Sequence, residues 1–402
     1  MKIPGFLMDR PMNQQHYDII IAGAGAAGLT LLYYLLKSRL HSQISVLLID
    51  QSLQPDPSKT WCFWDHSSFD IPEIIYHSWN HLTVSALGES YSEDLLMNKY
   101  HCIRSIDYSG MILQEARKSE SVTLLKAEIR GFASAGSGAT VETSEGTFSA
   151  GMIFQSALKP SDFSTSKVDV SLLQHFVGWE IECREDLFDP NKAILMDFDI
   201  EQLNGVTFMY LLPFSERSAL IEHTLFSAEI LDQEQYEEAI RDYLSKRFHL
   251  TPGSYFIRRK EFGAIPMEDR VYSSFYCPNV MNLGIVGGLA KPTTGYTFKR
   301  IHNRCKSIVR HLEEGKMPEE KRESQYRFRV YDMMLLSILK NETKNSIQIF
   351  HDLFEKNSFD RILDFLDEKT TIPQELSIFS SLPYLPFFRS IYRMKHRIFT
   401  GA

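Results

Sequence analysis

Near its start the chain places a β-branched apolar run, Tyr17-Asp18-Ile19-Ile20-Ile21-Ala22, directly ahead of Gly23-Ala24-Gly25-Ala26-Ala27-Gly28. A stretch without proline or glycine, Leu29 to Leu40, follows. The first run predicts a buried parallel strand and the second a helix packed on it. Ser45-Val46-Leu47-Leu48-Ile49-Asp50 repeats the strand pattern and ends in an acid. Together they predict a strand–helix–strand unit of about 30 residues.

Tyr108 to Lys118 predicts a helix. Ser121 to Phe154 alternates polar and apolar positions around a Gly/Ser loop at 131–138, which predicts hairpins before a strand at Gly151-Met152-Ile153-Phe154. The section from Phe176 to Phe226 is strand-rich, with turns at Asp189-Pro190-Asn191 and Ser215-Glu216-Arg217-Ser218. Gln233 to Phe248 predicts an amphipathic helix, Val280 to Val286 a further buried strand, and the chain from Thr297 onward is mostly helical. No internal repeat or low-complexity tract interrupts this order.

A chain of 402 residues predicts two lobes. Its 44% apolar and 23% charged residues are those of a globular protein, and a net charge of -8 speaks against nucleic acid as a partner. Five cysteines without a C-x-x-C suggest reduced thiols in the cytosol. Met1 to Gln15 has no apolar core, so no secretory signal is expected. No uncharged apolar stretch reaches the roughly 18 residues of a spanning helix. His77 and His81 stand four apart but lack the other ligands of a zinc helix, so no metal is expected.

The glycine turn carries the first chemistry. Gly23 permits the bend, Gly25 lets backbone approach a pyrophosphate, and Gly28 lets helix pack on strand; Ala26 and Ala27 open the helix whose N-terminus faces the phosphates. Asp50, 22 residues after Gly28, suits a ribose hydroxyl pair. More than two hundred residues later Gly284-Ile285-Val286-Gly287-Gly288 runs into Pro292-Thr293-Thr294-Gly295-Tyr296. A helix beginning near Tyr296 would offer a second N-terminus to the same cofactor, although a strand-to-helix turn with structural glycines would read alike. Arg104 precedes a helix, where it can reach the cofactor or solvent.

At these residues the chain resembles the lycopene cyclases of the bacterial, plant-related flavoprotein type. The stretches that carry the likeness are the N-terminal dinucleotide unit, Lys59-Thr60-Trp61-Cys62-Phe63-Trp64, Leu220-Ile221-Glu222-His223-Thr224, and Gly288-Leu289-Ala290-Lys291-Pro292-Thr293-Thr294-Gly295-Tyr296. The resemblance implies an α/β fold. A Rossmann-type, glutathione-reductase/hydroxylase-like FAD-binding domain (1–75, 100–160 and 270–310) would carry an inserted antiparallel sheet domain for substrate (76–99 and 161–269). A helical C-terminal region, 311–402, would follow, as a candidate for membrane contact.

It also implies an FAD enzyme of the intramolecular lyase/isomerase class, active with reduced flavin and supplied by NADPH or another donor. Such an enzyme closes β-rings on lycopene or another linear carotene, giving β-carotene by way of γ-carotene without net redox change. Gly23, Gly25, Ala26, Ala27, Gly28, Asp50, Arg104, Gly287, Gly288, Thr293, Thr294, Gly295 and Tyr296 are the expected cofactor positions. One departure is visible: the family's acidic motif usually has a second acid after the glutamate, and here that place is His223. Glu222 keeps the matching position, while a two-carboxylate site is questioned.

Ring closure needs a proton delivered to an unactivated double bond, so the acid must stay neutral by burial among apolar groups. Glu222 lies in a strand pattern that puts Leu220, Thr224 and Phe226 on its face, with His223 on the other, packed or in solvent. A tight hairpin at Glu216-Arg217 would set Glu222 opposite Leu211. A solvated strand face is the plainer alternative. The cation needs an aromatic face or an electron-rich flavin and the exclusion of water. Trp61, Phe63, Trp64, Tyr210 and Thr224 are the expected pocket residues, with core packing as the alternative.

A forty-carbon hydrocarbon resides in the bilayer. Phe379-Ser380-Ser381-Leu382-Pro383-Tyr384-Leu385-Pro386-Phe387-Phe388, followed by Arg389, Arg393, Lys395, His396 and Arg397, suits an anionic membrane surface or a docked terminal helix with a solvated basic tail. The expectation is a cytoplasmic protein, peripheral on the inner face of the membrane, with other carotenoid enzymes as candidate partners. An FAD-dependent monooxygenase or polyprenyl reductase shares the cofactor pattern, as would a flavin or lipid carrier. A buried acid at Glu222 separates the cyclase from these.

Overall fold

A computed structural model describes residues 16–66, 69–158, 168–320 and 324–399, and the expected signal-free N-terminus and the boundary near residue 160 lie outside them. Among the described residues the strands form three sheets. At the centre of the first, His16–Ala22 pairs in parallel with Val46–Asp50 on one side and Gly146–Gln155 on the other, and Gly146–Gln155 pairs in parallel with Val280–Asn282. Both faces are covered, which is why the run is apolar without alternation. Ile19, Ile21, Val46 and Leu48 pack beneath the helices Ala26–Lys37, Ser105–Lys118 and Phe298–Glu313. Ile20, Ala22, Leu47 and Ile49 pack beneath the hairpin Ile129–Ala135 and Gly138–Thr143.

The second sheet has seven strands in the order Tyr255–Glu268, Ser171–Cys183, Ser218–Ser227, Val206–Pro213, Lys192–Asp197, His81–Ala86, Glu89–Asp94. It is antiparallel except where Lys192–Asp197 meets His81–Ala86. One face carries the helix Gln233–Phe248. The other faces the C-terminal helices Tyr326–Asn341, Thr343–Lys356, Phe359–Leu366 and Tyr384–Ile398. The strand Ser218–Ser227 is therefore buried on both sides: Ile221 and Leu225 point to one layer, Leu220 and Phe226 to the other. A third, small sheet of Thr60–Asp65, Lys99–Arg104 and Ile75–Trp79 completes the strands.

The structure corrects several expected boundaries. The strand at Val280 stops at Asn282, and Gly284, with φ of +64°, turns residues 284–287 into one 3₁₀ turn. The helix expected near Tyr296 begins at Phe298, because Thr294 and Gly295 first close a turn onto the Lys291 carbonyl. The hairpin before Ser218 spends residues 214–217 on its loop, with Phe214 and Ser215 amides bonded to Ser218. This sets Tyr210 rather than Leu211 opposite Glu222.

Candidate active site

A mostly apolar cavity of about 580 Å³ extends from the first glycine turn, between the sheets, to the C-terminal helices. Small-molecule sites occupy about 300–1,000 Å³. Gly25, Ala26, Ala27 and Gly284 line one end, and Phe350, Phe379 and Phe387 the other.

The glycine turn divides its labour. A Cβ on Gly28 would stand 1.9 Å from the Gly23 carbonyl oxygen, so this position holds helix against turn. A Cβ on Gly25 would meet no atom within 4 Å, which leaves open space over the uncapped start of the helix Ala26–Lys37. Amides at such a helix start suit a phosphate. Asp50 ends its strand with Oδ2 accepting from the Ala24 amide at 2.6 Å and Oδ1 accepting from Ser52 at 2.8 Å, which ties the acid to the turn.

The second glycine segment does return to the first. A Cβ on Gly284 would come within 2.9 Å of the Ala27 Cβ. Thr293, Thr294, Gly295 and Tyr296 line the cavity. Thr293 donates to Asp332 at 2.8 Å, whereas the buried Thr294 Oγ1 and Gln174 Oε1, both on the cavity wall, have no partner among the described residues. An open cradle at Gly25 and these orphaned polar atoms fit a dinucleotide cofactor lying along this wall.

Other expected cofactor positions lie off the wall. A Cβ on Gly23 would collide with Ser156, one on Gly287 with the Asn282 carbonyl, and one on Gly288 with Tyr272. Arg104 is engaged elsewhere: it donates to Glu180 at 2.7 Å, and its guanidinium lies 3.6 Å from the centre of the Tyr76 ring.

Of the expected pocket residues, Trp61, Trp64, Tyr210 and Thr224 line the cavity, and Phe63 turns into the core against Phe69 and Phe298. Trp61 stacks on Phe298 at 5.5 Å, and Trp64 meets Tyr296 edge-on at 4.6 Å. Tyr100 links the hydroxyls of Tyr210 and Tyr296 at 2.5 and 2.6 Å.

Glu222 opens onto this cavity yet is only 8% exposed. Across the sheet it faces Tyr210 on one side and Gly178 on the other. Gly178 also pairs with Glu261 on the next strand. A Cβ on Gly178 would stand 2.9 Å from the Glu222 Cγ and 3.0 Å from the Glu261 Cγ, so the two acids lean together over the missing side chain. Burial first, then the Glu261 carboxylate beside it, push the Glu222 carboxyl well above the usual carboxylate range. Arg259 opposes that shift.

Glu261 was not foreseen. It follows Arg258, Arg259 and Lys260, so its surroundings read as a solvated edge strand, and only its register against Gly178 turns it inward. Its Oε2 accepts from Thr60 at 2.8 Å and from Arg259, while Arg259 also donates to Glu180 at 3.0 Å. Its buried Oε1 has no other donor among the described residues.

His223 faces away from the cavity, as strand alternation requires, beside Tyr236 at 5.8 Å. Burial lowers its pKa to about 4, and both ring nitrogens lack a partner among the described residues. His77 and His81 sit on strands, bonded to the Pro190 carbonyl and to Asp94.

The C-terminal segment divides. Phe379, Leu382 and Phe387 line the cavity, while Leu385, Phe388 and Tyr392 are 62%, 64% and 71% exposed. The basic residues are not a free tail. Arg389 and Arg393 pair with Glu342, His396 with Asp169, and Arg397 with Asp169 and Asp269.

A family model described as lycopene cyclase protein matches residues 18–392. The chain is 25% identical over 414 residues to a lycopene beta-cyclase of Pantoea ananas, covering 94% of this chain and 98% of that protein. Its fold resembles a flavoprotein/dehydrogenase from Cytophaga hutchinsonii, with a TM-score of 0.61 and 12% identity over 91% of this chain and 99% of that one. It also resembles the halogenase PltM solved with phloroglucinol and FAD, with a TM-score of 0.58 and 13% identity over 96% and 93% of the two chains.

Proposed function

We propose that this chain, which belongs to the lycopene cyclase family, is a lycopene β-cyclase in which Glu222 is the proton donor and FAD the bound cofactor. The observation that carries the reading is a buried carboxyl, pushed well above the usual carboxylate range by burial, that opens onto an apolar cavity beginning at a dinucleotide turn.

In this reading the start of the helix Ala26–Lys37 would hold the pyrophosphate, Asp50 the ribose, and Thr294 and Gln174 would supply polar contacts along the wall. Bound FAD, reduced by NADPH or another donor, supplies an electron-rich surface that steadies positive charge without trapping it. Glu222 transfers its proton to the terminal double bond of a linear carotene. The resulting tertiary cation is attacked by the neighbouring double bond, which closes the ring, and loss of one ring proton leaves an isomer of the substrate. Trp61, Trp64, Tyr210 and Tyr296 offer aromatic faces to the cation and keep water out, since water would add to it. An FAD-dependent monooxygenase or polyprenyl reductase shares the fold but does not require a neutral carboxyl here.

Among the described residues no helix is long and apolar enough to cross a membrane. The exposed row Leu385, Phe388 and Tyr392 adjoins Phe387 on the cavity wall, which supports a peripheral site at the membrane where the carotene enters. Expression in lycopene-accumulating cells, followed by pigment chromatography, tests the function. Cyclic carotenes with the wild type and lycopene alone with Glu222→Gln are expected. Unchanged lycopene with a flavin-loaded wild-type protein would refute it.

A further inference from the structure

We propose that Glu261 is the positioning residue of the acid, its Oε1 accepting a hydrogen bond from the Glu222 O–H so that the pair holds one proton, kept on Glu222, the member that opens onto the cavity. The inference rests on the cyclase reading for its purpose but on geometry for its substance. Glu222 and Glu261 sit on the two strands that flank Ser171–Cys183, and both are in register with Gly178. No other residue leaves them room, because a Cβ at 178 would press on both Cγ atoms.

The hydrogen-bond inventory then assigns the roles. Glu261 Oε2 takes Thr60 and Arg259, so its charge is compensated and its orientation fixed. Thr60 itself accepts from Arg259 at 2.7 Å, and Glu180 holds the same guanidinium from behind. Among the described residues Glu261 Oε1 is left buried without a donor, a costly state unless Glu222 supplies its O–H. No described cation pairs with Glu222 in the same way. The proton therefore belongs on Glu222, the member that faces the cavity, while the member locked to Arg259 keeps the charge.

A shared proton does two things for an acid that must protonate a hydrocarbon. The adjacent negative charge opposes ionisation of Glu222 in the resting site, as like charges do in carboxyl pairs. The same hydrogen bond fixes which Glu222 oxygen carries the proton. The other groups facing Glu222 are Arg259, Tyr210, Cys62 and Tyr296; of these only Arg259 is cationic, and it spends its donors on Glu261, Glu180 and Thr60. The second acid that the family motif places beside the glutamate in sequence would thus be replaced here by one from a neighbouring strand.

The test uses purified, flavin-loaded protein and reads the infrared carboxyl band of protonated Glu222 across pH, assigned by its loss in Glu222→Gln. With Glu261→Gln that band should titrate away at least one pH unit lower than in wild type, and Glu261→Asp should recover part of the shift. The alkaline limb of kcat for ring formation should move by the same amount, about tenfold in rate per unit above it, with KM unchanged. Gly178→Ala, which separates the two carboxyls, should mimic Glu261→Gln and replaces it if that variant does not fold. A Glu222 band that titrates identically in wild type, Glu261→Gln and Gly178→Ala would overturn the proposal. A carboxyl pair that behaves as expected in a protein unable to cyclise any carotene would sink the functional reading and leave this one standing.

Discussion

Replacing Gly25 and Gly28 separately by alanine distinguishes a loop built to hold a ligand from one built only to turn. Gly25 has φ -74° and ψ -172°, which alanine adopts freely, and among the described residues beyond its chain neighbours nothing lies within 4 Å of the added Cβ. Gly25→Ala should leave the flavin-free protein as stable as wild type, or more stable by about 0.4–1 kcal/mol through the unfolded chain. Its cost falls on the ligand: a methyl group in the space reserved for a pyrophosphate should weaken FAD at least about tenfold, or ~1.4 kcal/mol. Gly28→Ala is different, because its Cβ would lie 1.9 Å from Gly23 O and 3.1 Å from Ile21 Cγ2. Helix and strand must separate, at about 1–3 kcal/mol or more of folding stability. Urea unfolding of the flavin-free proteins and flavin-fluorescence titration measure both quantities. A Gly25→Ala protein that binds FAD with the wild-type Kd, or that loses as much stability as Gly28→Ala, would refute this division.

Glu222→Gln should become progressively more stable than wild type as pH rises. A carboxyl whose folded-state pKa is raised binds its proton more tightly in the native than in the unfolded state, so wild-type stability falls from about pH 4.3 upward until the folded pKa is passed. Melting curves from pH 4 to 9 check it, and a constant difference would contradict it. His223→Leu should stabilise the protein and leave turnover intact, because it removes two buried nitrogens that have no partner among the described residues. It should also flatten the acid limb: below about pH 6.5 the unfolded chain protonates His223 while the folded one does not, so wild-type stability falls with pH until the folded value of about 4 is passed, and leucine removes that loss. Lys291→Met should cost about 3–5 kcal/mol by stranding Asp332, which Lys291 contacts at 2.9 Å through both carboxylate oxygens. Chemical denaturation measures it.

The parts of this molecule that can be read along the chain are those whose cause is local. The run Ile19–Ala22, the glycine turn and Asp50 follow from spacing alone, because strand, turn and helix start are contiguous. Glu222 is visible because alternation places Leu220, Thr224 and Phe226 on its face. The register of its neighbour is off by one, since the loop at 214–217 is one degree of freedom that the pattern leaves open. Arg104 shows the opposite failure: next to a helix start it resembles a phosphate ligand, but Glu180 from a distant strand claims it. Glu261 is invisible for the same reason. Its burial depends on Gly178, more than eighty residues away, and its own surroundings are cationic.

The most direct test of the account is cyclisation in heavy water, by flavin-reduced protein with lycopene in liposomes and mass analysis of the product. One deuterium in each new ring for the wild type, with no ring formation by a flavin-loaded Glu222→Gln, is the expected result. Rings that form without deuterium, or at wild-type rate after that substitution, would show that this carboxyl does not deliver the proton.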